Sequence, residues 1–234
     1  MITLYCFRSA PGLPDISPFV AKTMLLLKLA GLEYEENRNG YPKAPKGKLP
    51  YIDDEGTIVA DSTFIRWHIE KAHGVDFDAH LTPEQRAIGW ATEKMCEDHL
   101  YWILVRGRWL DDANFARGPA KIFDRAPAPT RPVIKWMVRR KVAKSLYLQG
   151  IGRHTGEEAA ALGVRDVEAL ATLLGDQPYL FGETPSGADA TVFAFVAGLL
   201  SPSWESPVRD AAASKANLVA YRDRVLAKYF PDIA

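Results

Sequence analysis

KGKLPYIDDEGTIVADS, residues Lys46 to Ser62, places several structural signals in one short stretch. Pro50 to Asp53 reads as a strand, Asp54-Glu55-Gly56 as a tight turn in which glycine enters positive φ freely, and β-branched Thr57-Ile58-Val59 as a second strand. The pattern predicts a β-hairpin. Asp61 and Ser62, both helix-capping types, then precede Phe64-Ile65 and Trp67-His68-Ile69 at helical spacing. A helix N-terminus is therefore predicted beside the hairpin. It offers unpaired N–H groups and partial positive charge, which suit a carboxylate, with the Ser62 hydroxyl as a further donor and Asp61 able to hold an ammonium. An α-amino acid head carries both groups on one carbon and fits that pair. A cis Leu49-Pro50 bond would turn the Leu49 N–H and C=O outward as an open edge for an extended peptide, although these residues alone leave cis and trans open.

The 234 residues are 47% hydrophobic and 25% charged, an ordinary globular composition with enough chain for one large domain or two small ones. A formal net charge of zero gives no global attraction to nucleic acid or acidic membranes, so electrostatics is a matter of local patches. Cys6 and Cys96 lie far apart with no CxxC spacing and no adjoining histidine cluster, which argues for a reducing compartment and against a disulfide framework or metal site. The first strand begins at once, leaving no room for a signal peptide, and the apolar run Ala190 to Leu200 is too short to span a bilayer. A cytoplasmic protein is expected.

In chain order, Ile2 to Phe7 has strand propensity and Arg8 to Ile16, with Pro11, Gly12 and Pro14, cannot continue it. Ser17-Pro18-Phe19 joins a natural N-cap to a natural first helical residue, and the apolar helix it opens stops near Gly31. Leu32 to Glu36 is a second strand, so the order is β-α-β-β-α. Thr82-Pro83-Glu84-Gln85 restarts the chain with a capping box, from which one long helix is predicted to about Asp111. Asn114 to Pro132, rich in Ala, Pro and Gly, reads as a long loop, either a lid over a pocket or a surface excursion. A basic helix from Val133 to Gln149 follows, then a capping box at Thr155-Gly156-Glu157-Glu158. Ser186 and Asp189 are placed for reciprocal capping of a buried helix, and Ala216 to Tyr229 is amphipathic.

Leu49-Pro50 followed by Asp61-Ser62 resembles the glutathione-binding half of the glutathione transferase family, and Ser186-x-x-Asp189 resembles the box that opens that family's central core helix. Ser17-Pro18-Phe19, His99-Leu100-Tyr101-Trp102 with Arg108-Trp109, and Gly150-Ile151-Gly152-Arg153-His154 are similar to the bacterial branch related to metaxin and failed-axon-connections proteins. The resemblance implies a thioredoxin-like α/β domain over residues 1–75, a linker at 76–81 and an all-helical domain over 82–234. It also implies a cis Pro50, glutathione as co-substrate, and frequent homodimers. Leu49 (through its backbone), Pro50, Asp61 and Ser62 would hold glutathione, with Lys48 a partner for the glycine carboxylate or a plain surface lysine.

Free thiols titrate near pH 8.5, so roughly 3% is ionised at pH 7, and a transferase has to enlarge that fraction. A hydroxyl at a helix N-terminus stabilises a thiolate, and the resemblance puts Ser17 at the glutathione sulfur; otherwise Ser17 is an N-cap only. Tyr5 is the rival, early in its strand. Serine rather than cysteine at this position predicts attack on an electrophile instead of mixed-disulfide chemistry. Tyr101, Trp102, Arg106 and Trp109 either line a second-substrate pocket or pack as core, and Arg106 and Arg108 are the harder pair to explain as core. Lys135, Arg139, Arg140, Lys141 and Lys144 read as a solvated basic face. The five histidines show no ligand spacing, so no metal is expected. The expected function is glutathione thiolate attack on a hydrophobic electrophile. The alternatives are an etherase or peroxidase at the same site, or a non-catalytic metaxin-like binding module.

Overall fold

The computed structural model describes residues 1–233, a four-stranded sheet followed by helices. The sheet has the order β2-β1-β3-β4, from β1 (Ile2–Tyr5), β2 (Tyr34–Asn37), β3 (Tyr51–Asp54) and β4 (Thr57–Ala60). β1 is parallel to β2, which requires a crossover, here helix α1 (Pro18–Leu29), and antiparallel to β3. β1 stops at Tyr5 rather than Phe7 because the Phe7 N–H is diverted to the Asp15 carboxylate at 2.9 Å. β2 begins later than Leu32 because the Leu32 N–H still closes the end of α1 on the Leu27 carbonyl at 3.0 Å.

β3 and β4 form the predicted hairpin. Glu55 and Gly56 both take positive φ, 51° and 93°, the combination whose twist matches a two-residue hairpin loop. Asp53 Oδ1 holds the turn by accepting the Gly56 N–H at 2.8 Å. α2 (Ser62–His73) follows with Asp61 as its N-cap and ends at left-handed Gly74.

α3 (Pro83–Lys94) opens with the predicted Thr82–Gln85 capping box. The single long helix expected through Asp111 is interrupted. At Met95–Leu100 the chain takes a wider turn, and it resumes as α4 (Tyr101–Leu110). The wider turn lets Cys96, Glu97 and Leu100 all face inward.

The loop expected over Asn114 to Pro132 is also corrected. α5 (Asp112–Arg117) is followed by a 3-10 stretch, Pro119–Arg125, and α6 (Arg131–Gln149) starts ahead of Val133. Buried Asn114 is the reason: its side chain bonds the Gly107 carbonyl at 3.2 Å and both the carbonyl and N–H of Glu205 at 2.8 Å. The segment is tied to the helical core rather than free to swing.

α7 (Gly156–Leu174), α8 (Gly187–Leu200), α9 (Pro207–Ala213) and α10 (Ala216–Tyr229) complete the chain. Every residue of α8 is buried, which explains a helix apolar on all sides. Asp189 anchors its start by accepting from Ser186 N–H and Oγ–H at 2.8 Å, Leu180 N–H at 2.9 Å and the Tyr221 hydroxyl at 3.0 Å. α1 packs on α8, and their buried residues join β1 and β3 in one continuous apolar cluster. No helix among the described residues is long and apolar enough to cross a membrane.

Candidate functional site

The sheet register gathers three separate segments at one end. Tyr5 of β1 stands opposite Tyr51 of β3, and Tyr51 stands opposite Ala60 of β4. The chain leaving β1, the chain entering β3 and the chain leaving β4 therefore share one edge of the domain. Leu49-Pro50 enters there through a cis peptide bond, and the Pro50 carbonyl accepts the Asp61 N–H at 3.2 Å. Neither the N–H nor the C=O of Leu49 has a backbone partner among the described residues.

Asp61 takes φ 89° and ψ 130°, a positive-φ conformation that costs a non-glycine residue about 1–3 kcal/mol. Its carboxylate accepts the Thr63 N–H at 3.0 Å, which caps α2 and leaves its other oxygen without a hydrogen bond among the described residues. Ser62 is 3% exposed, and its hydroxyl makes no hydrogen bond within the described residues. Lys48 is exposed and unpaired among them, at the mouth of the same edge.

Asp15 fixes the third segment. Its two oxygens accept the Phe7 N–H at 2.9 Å and the Ser17 N–H at 2.8 Å, which ties the start of α1 to the end of β1. Burial pushes this carboxyl up to about 7, against the two N–H bonds that favour its charged form. Ser17 is half-buried at the N-terminus of α1, and its hydroxyl has no partner within the described residues. Tyr5 is engaged elsewhere, stacked on Tyr51 with ring centroids 3.9 Å apart. The Cys6 thiol is buried and pushed up to about 12 by that burial, with Glu36 adding to it, so it is a poor thiolate.

Of the four residues expected to form a second pocket, two adjoin this edge. Tyr101 meets Phe19, two residues beyond Ser17, edge-on at 5.0 Å, and Trp102 packs on Tyr101 at 5.2 Å. Arg106 instead reaches the His154 carbonyl at 3.0 Å and lines a cleft of about 310 Å³ bounded by Asn114, Glu157, Ala160 and Trp204. Trp109 packs on Phe115 at 5.7 Å, and its carbonyl accepts from Arg139. Arg108 reaches the Gly198 carbonyl at 2.6 Å and lies over the Trp204 ring, and burial pulls its guanidinium down to about 10.

A glutathione S-transferase N-terminal domain profile matches residues 18–114, and the corresponding C-terminal domain profile matches residues 163–225. The isoprene-epoxide–glutathione S-transferase of Rhodococcus sp. strain AD45 is 32% identical over 236 residues, covering 98% of this chain and 99% of that protein. The chain belongs to the glutathione S-transferase family. Failed axon connections of Drosophila melanogaster is 33% identical over 99% of this chain, which spans 59% of that protein. Human metaxin-1 is 27% identical over 97% of this chain, which spans 51% of it. In fold, this family member matches the beta-etherase LigF of Sphingobium sp. strain SYK-6 with a TM-score of 0.63 at 18% identity, over 99% of this chain and 98% of that one.

Two clusters in this transferase-family chain escape sequence reasoning. Lys22, in the middle of apolar α1 and 1% exposed, pairs with Glu93 at 2.8 Å and Glu97 at 2.6 Å. Burial pulls its ammonium down, but the two carboxylates outweigh burial and hold it above its usual value. Arg66 of α2 reaches the same Glu93 at 2.7 Å, with Glu70 and Asp78, and Thr191 of α8 donates to Glu93 at 2.9 Å. This network joins α1 and α2 to α3 and α8 just behind the site. The second cluster is Asp54, His68 and His73 at the other end of the sheet.

Proposed function

We propose that this protein is a glutathione transferase that stabilises the glutathione thiolate for attack on a small hydrophobic electrophile. One observation carries the reading. A single sheet edge gathers a hydroxyl at a helix N-terminus (Ser17), an open backbone residue beside a cis proline (Leu49), and a second helix N-terminus carrying the hydroxyl of the mostly buried Ser62, both hydroxyls without a partner among the described residues. The γ-glutamyl carboxylate would sit on the α2 N-terminus and the Ser62 hydroxyl, and the γ-glutamyl ammonium on Asp61. The Leu49 N–H and C=O would pair with the cysteinyl residue, and Lys48 with the glycine carboxylate. The Ser17 hydroxyl and the N-terminus of α1 would then face the sulfur, each unit of thiol pKa depression requiring about 1.4 kcal/mol.

Phe19, Tyr101 and Trp102 form an apolar wall beside that sulfur, suited to a hydrophobic electrophile. The Rhodococcus relative's name makes a small epoxide the first substrate to test. In that reaction the sulfur–carbon bond forms as the ring carbon–oxygen bond breaks, and the alkoxide takes a proton from water. Ether cleavage and peroxide reduction use the same thiolate, and a substrate panel separates them.

A homodimer belongs to the proposal. α2 and α3 together expose Phe64, Trp67 and Trp90, with the two indoles stacked at 6.3 Å, an aromatic surface that spans both halves of the chain. A reducing, cytoplasmic setting fits two free, buried cysteines.

Calorimetric titration with glutathione tests the reading. Binding of the native protein that disappears in an Asp61→Ala, Ser62→Ala variant is expected. No binding by the native protein would overturn it in favour of a non-catalytic module of the metaxin kind.

A further inference from the structure

Asp54 ends β3 three residues beyond Tyr51, and at about 3.3 Å per residue it stands roughly 10 Å along the strand from the Ser17 edge. His68 Nε2 lies 2.7 Å and His73 Nε2 lies 2.8 Å from the same oxygen, Asp54 Oδ2. The rings approach from different directions, with planes 78° apart and centroids 6.3 Å apart. Asp54 Oδ1 accepts no hydrogen bond among the described residues, so a shortage of acceptors does not force the convergence on Oδ2. A tether between helix and hairpin needs one such bond, not two at one point. Both Nδ1 atoms are also without partners there, so each ring is free to carry its proton on Nδ1 and present the Nε2 lone pair inward.

We propose that Asp54, His68 and His73 bind one zinc-class dication through Oδ2 and the two Nε2 atoms, with water completing the coordination. Two imidazoles and one carboxylate are a donor set that zinc favours over the hard cations magnesium and calcium. Zinc–nitrogen and zinc–oxygen bonds of about 2.0–2.2 Å at a tetrahedral angle separate neighbouring donors by about 3.3 Å. The present hydrogen-bond distances therefore need to open by only about half an ångström to admit the ion. All three donor atoms already lie within 4.8 Å of one another. Asp54 is held by its ladder positions opposite Ile2 and Thr57, and the histidines stand five residues apart on α2. The ion would pin α2, whose other end carries Asp61 and Ser62, to the hairpin. The inference does not depend on the chain binding glutathione.

The test uses the full chain, stripped with chelator and kept free of glutathione, which itself binds zinc. Calorimetry with zinc and visible spectroscopy with cobalt(II) are expected to give one equivalent, a tetrahedral cobalt spectrum and a zinc-dependent rise in Tm. His73→Gln lies at the accessible end of α2, where folding should be unaffected. It is expected to weaken zinc at least tenfold and abolish the cobalt spectrum, as is His68→Gln, while His80→Gln changes neither. Absence of a one-equivalent site in the native chain, or unchanged affinity in folded His73→Gln and His68→Gln, would overturn the proposal.

Discussion

Asp15→Asn probes the group that ties the start of α1 to the end of β1. In the native chain both carboxyl oxygens accept backbone N–H groups, from Phe7 and Ser17, while burial holds the folded pKa at about 7. An unfolded aspartate titrates near 3.9, so between about pH 4 and pH 7 the folded state binds more protons than the unfolded state. Stability from this group is therefore present below that window and falls as pH rises through it. Two pH units, from 5 to 7, at about 1.4 kcal/mol each remove roughly 2–3 kcal/mol. Asparagine does not titrate, keeps one acceptor and loses the other bond, a pH-independent cost of about 1–3 kcal/mol for a buried donor left unpaired. Urea unfolding followed at intervals from pH 5 to pH 8 should show the native chain losing that extra stability and the variant a correspondingly flatter profile, with equal m-values. Parallel profiles would refute the reasoning and place the Asp15 proton outside this range.

Lys22→Met leaves Glu93 and Glu97 buried without their shared ammonium and should cost about 3–5 kcal/mol in the same assay, partly restored by adding Glu93→Gln and Glu97→Gln. Gly187→Ala would place a methyl group 2.2 Å from the Arg66 guanidinium carbon, so the guanidinium has to retreat from Glu93 and Asp78. A loss of about 1–3 kcal/mol, read by thermal and urea unfolding, is expected. Ser17→Ala should slow conjugation at least tenfold, about 1.4 kcal/mol of transition-state stabilisation, and raise the bound thiol's pKa while leaving glutathione affinity nearly unchanged. An unaltered rate and an unaltered thiol titration would remove Ser17 from the mechanism.

The hairpin, the α2 cap and the Thr82, Thr155 and Ser186 boxes were legible because each is written in residues adjacent in the chain. Turn and capping chemistry acts over two to four positions, and Asp53 to Gly56 or Ser186 to Asp189 carry most of it. Lys22 shows the opposite case. Within its own helix it looks like an interruption of an apolar run, because its partners lie 71 and 75 residues away. His68 and His73, with four residues between them, fall within the spacing of zinc-ligating pairs, but their common partner, Asp54, belongs to another element. Asn114 likewise depends on Glu205, so composition made its segment look like a loop when a distant backbone holds it in place. Arg106 and Arg108 are two positions apart on one helix, which sends them to different neighbours.

The seam between the two halves of the molecule has a consequence for kinetics. Val20 of α1 and Phe195 of α8 are both fully buried, Phe19 packs edge-on against Phe195 at 6.1 Å, and Lys22 is paired across the same junction. Hinging the halves apart would wet several such side chains at about 1.5–3 kcal/mol each, which makes clamshell motion a costly way in for a ligand. Glutathione should associate in a single phase whose observed rate rises linearly with concentration and never saturates at a conformational step.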